Sequence, residues 1–93
     1  MAKLTVEVYG VGRPQSGQRE IELDLEPGAS LEEVLVALGR QAPALAGQVL
    51  GADGRSLRPP YVLNINGLSF VEDLSLRPQE GDRILLMAPP AGG

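Results

Sequence analysis

Apolar and polar positions alternate strictly near the start of the chain, where Leu4, Val6 and Val8 are interleaved with Lys3, Thr5, Glu7 and Tyr9. A period of two marks a strand with one face on a core. Residues 10–18 are rich in turn formers and lead to a second alternating run, in which Ile21, Leu23 and Leu25 sit between Glu20, Glu22, Asp24 and Glu26. The two runs predict a hairpin with a long loop. Pro27-Gly28 ends the alternation and the period then changes: Leu31, Val34, Leu35 and Leu38 fall at i, i+3, i+4 and i+7, one stripe of a helix. Ser30 and Glu33 have the spacing of a capping box at its start, and Pro43 limits how far it can run.

Residues 44–60 carry a weaker pattern. A short apolar piece around Leu45, Val49 and Leu50 precedes the turn-forming Gly51-Ala52-Asp53-Gly54, which reads as a helical turn followed by a loop. Alternation resumes with Tyr61, Leu63 and Ile65, and Asn66-Gly67 is the strongest two-residue hairpin signal in the chain, so a strand is expected on each side of it. Leu74 and Leu76 are expected to cover one end of the core. After Glu80-Gly81-Asp82 the run 83–88 is nearly all apolar, the pattern of a strand buried on both faces in the middle of a sheet.

The resulting order is strand, strand, helix, strand, short strand, strand. It predicts an α+β chain of the β-grasp type: a mixed sheet of four to five strands wrapped around one main helix, with first and last strands parallel at its centre and a right-handed crossover. Residues 1–88 form that domain in this reading, and 89–93 a separate flexible tail.

Composition removes several functions. The sequence has neither His nor Cys, which withdraws the commonest general base, the commonest intracellular nucleophile and the main zinc ligands, as well as the ligands of an iron–sulfur cluster. The chain is not expected to be an enzyme or to bind a metal or a permanent cofactor. Eight basic against twelve acidic residues give a net charge of −4, and the basic residues are scattered, with Arg55 and Arg58 the nearest thing to a patch. Such a surface repels a phosphate backbone, so no nucleic-acid partner is expected. Apolar runs are far shorter than the roughly 20 residues that span a bilayer, and the start has no signal-peptide pattern, so no membrane partner and a cytoplasmic location are expected.

The chemistry is concentrated in the last residues, Pro89-Pro90-Ala91-Gly92-Gly93. Two prolines favour an extended arm that loses little entropy on capture. Two glycines without Cβ atoms can pass through a narrow channel with backbone angles closed to other residues. An arm of this kind can deliver a main-chain carboxylate into another protein's active site. Once an ATP-dependent partner has converted that carboxylate to an acyl-adenylate, sulfur can attack it to give a thiocarboxylate, or an amine to give an amide. The plain alternative is a frayed end, since termini are often disordered and tolerant of change.

In the Gly81-Asp82 turn, the apolar strand Ile84-Leu85-Leu86-Met87, the Pro89-Pro90 pair and the terminal Gly92-Gly93, the chain resembles the ubiquitin-like sulfur carriers. That family includes the small subunit of molybdopterin synthase, the thiamine sulfur carrier and the cysteine-biosynthesis sulfur carrier. The resemblance implies that Gly93 is the site of adenylation and of the thiocarboxylate. It implies too that Gly92, Ala91, Pro90 and Pro89 thread into the partner and that Met87 faces it. Expected partners are an adenylyltransferase like the ubiquitin-activating enzymes, which uses the ATP, a sulfur donor or sulfurtransferase, and a recipient synthase. The long first loop with Arg13-Pro14 and the segment 51–60 look most like the cysteine branch, the Pro-Pro tail more like the molybdopterin branch, and the thiamine branch ranks third. Two rivals stand beside this reading: a ubiquitin-like modifier joined to lysines through the same glycine, and a β-grasp interaction domain whose tail is inert.

Other features have plainer readings. Gly10-Val11-Gly12 precedes a strand, where a dinucleotide loop must open a helix, and so reads as a hairpin loop. Glu20, Glu22, Asp24 and Glu26 read as a solvated face able to steer a basic partner. Asn66 is explained by its turn, whereas Asn64 is a possible partner contact, and Tyr61 and Phe70 are expected in the core or at its rim.

Overall fold

The computed structural model describes residues 2–9, 18–45, 47 and 49–87. Strand β1 (Ala2–Tyr9) pairs antiparallel with β2 (Gln18–Leu25), as the two alternating runs require. Helix α1 (Leu31–Gln41) follows, and then a single 3-10 turn, Pro43–Leu45. Strands β3 (Val62–Ile65) and β4 (Ser69–Val71) form the second hairpin, and β5 (Arg83–Met87) closes the sheet. The order across the sheet is β2-β1-β5-β3-β4, with β5 parallel to β1 and antiparallel to β3. This is the β-grasp architecture, with all five strands present. The expected hairpin loop at 10–17 lies outside the described residues.

The start of α1 is fully satisfied. A helix leaves its first four N–H groups without intrahelical partners. Here Ser30 N donates to Glu33 Oε1 at 3.0 Å and Glu33 N donates to Ser30 Oγ at 3.3 Å, completing the capping box. Leu31 N and Glu32 N, between them, donate to the carbonyls of Leu76 and Leu74 at 2.9 and 3.0 Å. The segment after β4 therefore serves the helix through its backbone. Leu74 also packs against the core, as expected, but the Leu76 side chain is exposed and covers nothing.

Asn66 and Gly67 both have positive φ, 58° and 74°, and Leu68 N donates to Ile65 O across them at 2.9 Å. Two left-handed residues in succession match the turn to the twist of its strands. The Asn66 side chain does a second job: its Oδ1 accepts from Arg83 N at 2.8 Å and its Nδ2 donates to Asp82 Oδ1 at 3.1 Å. Asp82 Oδ2 accepts in turn from Gln79 N at 2.8 Å. The Gly81-Asp82 turn is thus tied to the β3–β4 hairpin, which sets where β5 enters the sheet.

The core lies between the helix and one face of the sheet. Leu31, Val34, Leu35 and Leu38 from α1 meet Leu4, Val6, Val8, Ile21, Leu23, Leu63, Ile84 and Leu86. Leu45, Val49 and Leu50 close one end. No helix among the described residues is long and apolar enough to cross a membrane.

Candidate functional site

Partners in register share a face of the sheet, so the face turned away from α1 can be read row by row. One row crosses all five strands: Glu20, Glu7, Leu85, Asn64 and Phe70. On its Arg83 side lies Glu22–Thr5–Arg83, and toward the tail lie Met87 and Val62. The outer face is therefore divided. Its β2–β1 half is polar and acidic; its β5–β3–β4 half presents Leu85, Met87, Val62 and Phe70.

This division corrects two expectations. β5 is central, but it is not buried on both faces: Ile84 and Leu86 are sealed against the helix, whereas Leu85 and Met87 are only half-buried. Phe70 is neither core nor rim, for 69% of it is exposed, while Tyr61 packs partly against the core. A continuous apolar run cannot distinguish burial on both faces from one buried face and one sticky face. β5 has the second arrangement.

Met87 ends β5 opposite Val62 and is the last described residue before the tail. Beside it an open groove of about 730 Å³ is lined chiefly by Leu57, Tyr61, Val62, Phe70, Leu74 and Met87. The end of β5 thus lies beside an apolar groove. Pro89, Pro90, Ala91, Gly92 and Gly93 lie outside the described residues.

Within the same face, Asn64 is 95% buried by the complement of its 5% exposure, and its Oδ1 has no hydrogen-bond partner. A buried carbonyl without a donor costs free energy, on the order of 1–3 kcal/mol in proteins. It was legible only as an asparagine in an alternating run; nothing in the sequence marks it as enclosed between Leu85 and Phe70.

The acidic half is organised by Arg83, whose guanidinium pairs with Glu7 and with Glu20, the latter at 2.9 Å. Hydrogen bonding to Glu7 and its charge raise the Arg83 pKa further. Glu7 is buried and also accepts from the Tyr9 hydroxyl at 2.7 Å. That hydrogen bond, together with desolvation and the Glu7 charge, raises the Tyr9 pKa. Glu20, Glu22, Asp24 and Glu26 are all exposed, consistent with a solvated face. No group of three or more candidate metal ligands occurs among the described residues.

The five-stranded mixed sheet packed on one helix is the ubiquitin-like β-grasp fold. No protein-family model matches the chain, and no curated protein does. Among solved structures it is similar to SAMP1 from Haloferax volcanii, with a TM-score of 0.76 and 26% identity over 98% of this chain and 99% of that one. A second structure of the H. volcanii small archaeal modifier protein 1 gives 0.75 and 26%, over 97% and 100%. The H. volcanii HVO 2177 protein shares the fold at 0.61 and 24% identity, over 99% and 89%.

Proposed function

We propose that this chain is a ubiquitin-like carrier whose C-terminal Gly93 is adenylated by a partner enzyme and converted to a thiocarboxylate that donates sulfur. The observation that carries the reading is the end-to-end match to a small archaeal modifier protein, whose whole length this chain spans. It is supported by the placement of the tail root, at Met87, beside exposed apolar surface. In this mechanism the domain contributes no catalytic side chain. The outer apolar half and Met87 dock the activating enzyme, and Pro89, Pro90, Ala91 and Gly92 carry the carboxylate into its active site. There, attack by that carboxylate on the α-phosphate of ATP releases pyrophosphate and makes AMP a good leaving group. Sulfur from a donor or sulfurtransferase then displaces AMP. The recipient is a synthase of molybdopterin or cysteine biosynthesis.

A second reading keeps the tail and changes the nucleophile. An amine in place of sulfur gives an isopeptide bond, and the name of the H. volcanii neighbours favours this use. Both readings begin with adenylation of Gly93. Intact mass after incubation with ATP, an activating enzyme and a sulfur donor separates them: one oxygen replaced by sulfur is expected for the carrier, and higher-mass protein adducts for the modifier. Removing Gly93 should abolish both products and leave the fold intact. A truncated chain that is still active would defeat the proposal, and an inert tail would leave the mass unchanged with every activating enzyme tried.

A further inference from the structure

The Asn66-Gly67 pair does more than turn the chain. A glycine after an asparagine has no Cβ to shield its amide nitrogen, and that nitrogen is then open to attack the side-chain amide carbon. The sequence has two asparagines, and the other, Asn64, is buried and followed by the β-branched Ile65. Asn66 and Gly67 are both exposed, and a Cβ on Gly67 would meet nothing within 4 Å. Among the described residues Gly67 N donates no backbone hydrogen bond. The nucleophile is therefore free.

The electrophile is held. Both polar atoms of the Asn66 side chain are engaged at the start of β5: Oδ1 accepts from Arg83 N at 2.8 Å and Nδ2 donates to Asp82 Oδ1 at 3.1 Å. Asp82 is itself fixed, since its Oδ2 accepts from Gln79 N at 2.8 Å and its N donates to Gln79 O at 3.0 Å. Swinging the Asn66 amide carbon over Gly67 N breaks the bonds to Arg83 and Asp82. The one to the carboxylate is charge-assisted and the stronger kind.

We propose that Asn66 is a site of spontaneous deamidation, held in check in the folded chain by Asp82. The reaction needs water and no partner, so it stands apart from the tail chemistry proposed above. Gly67 N gives its proton to solvent base and attacks Asn66 Cγ. A C–N bond forms, the Cγ–Nδ2 bond breaks, and Nδ2 leaves as ammonia with a proton returned from solvent. Water then opens the cyclic imide at one of its two carbonyls, giving aspartate or an isoaspartate in which the backbone detours through the side chain. In either case an amide and water become a carboxylic acid and ammonia. Aspartate replaces the donor to Asp82 by a like charge, so an attraction becomes a repulsion. Isoaspartate lengthens the backbone of a turn built on two consecutive positive φ values. Both products loosen the tie that sets where β5 enters the sheet.

The test incubates the full chain and its Asp82→Ala, Asp82→Asn and Leu86→Ala variants in mildly alkaline buffer, and the unsubstituted chain also in urea. Conversion is followed in tryptic peptide 56–83, which stays whole and carries both asparagines because Arg58 and Arg77 each precede a proline. Conversion is expected at Asn66 and not at Asn64. It should run about tenfold faster in urea and in Asp82→Ala, the weight of one hydrogen bond to a charged group. It should stay slow in Asp82→Asn, which keeps an acceptor oxygen, and in Leu86→Ala, which lowers stability without touching the clamp. Asn66→Asp should lower the urea midpoint, as the converted chain does, and adding Asp82→Asn should restore part of the loss. No conversion in urea, or equal rates with and without it, would overturn the proposal. Leu86→Ala converting as fast as Asp82→Ala would overturn it too, by assigning the protection to the fold as a whole.

Discussion

The two faces of the sheet are built from the same strands by the same alternation, yet they answer to different demands. On the inner face Val6, Ile84, Leu86 and Leu63 are sealed beneath α1 and every one is aliphatic. On the outer face the neighbouring positions run from Glu20 and Glu7 through Leu85 to Asn64, whose Oδ1 has no partner, and an exposed Phe70. Stability explains the first set completely. It explains the second set poorly, because an exposed phenylalanine and an unsatisfied buried amide contribute little or cost free energy. The contrast sets apart a face whose side chains the fold itself does not need.

The sharpest way to break the comparison is to truncate one apolar side chain on each face, Leu86 of β5 and Phe70 of β4. Leu86→Ala, on the inner face, should lower the unfolding free energy by about 2–5 kcal/mol, measured by urea denaturation. Phe70→Ser, on the outer face, should change it by only about 0.5 kcal/mol, as exposed substitutions do. The same change should slow pyrophosphate release by the activating enzyme at least about tenfold at low carrier concentration, since apolar anchors dominate interfaces. A Phe70→Ser chain that is adenylated normally would remove the outer apolar half from the docking surface.

Asn64 offers a smaller and opposite effect. Asn64→Leu removes the unpaired Oδ1 and should raise stability by about 1 kcal/mol, seen as a higher urea midpoint with an unchanged slope. If the amide is kept for a donor on the partner, the stabilised variant should also be adenylated more slowly. A gain of stability with full activity would make Asn64 a tolerated defect.

Much of this division could be read before the structure. Both hairpins, the capping box, the helix stripe and the central place of β5 follow from local chemistry, in which each residue's neighbours in sequence decide its role. Phe70, Leu76 and Asn64 could not be placed that way. β4 has only three residues, too few for alternation to say which side faces the core. Leu76 follows no regular element, and its part in the fold is played by its carbonyl, which any residue supplies. Burial of Asn64 depends on Phe70 and Leu85, six and twenty-one positions away, brought beside it only by the sheet order. The tail is the reverse case: the chemistry proposed for it rests on Gly92-Gly93 in the sequence, and its residues lie beyond those the structure describes.

The finest probe of the outer face is Tyr9, because its hydroxyl reports on the acidic half without disturbing it. The hydrogen bond to Glu7 favours the protonated phenol, so Tyr9 should ionise above the ordinary tyrosine range. In a Tyr61→Phe background, absorbance at alkaline pH follows Tyr9 alone, since the sequence has two tyrosines. Glu7→Gln should bring the midpoint down, because it removes the negative charge that opposes the phenolate. The linkage has a definite sign. A pKa raised by folding stabilises the fold fully below the unfolded tyrosine pKa and loses that contribution as pH rises through the folded one. Unfolding free energy should therefore decline in that alkaline interval, and decline less in Glu7→Gln. An unchanged midpoint in the variant would mean that Glu7 does not hold Tyr9. The acidic half would then be a set of separate charges, able to steer a basic partner but with no fixed arrangement at its centre.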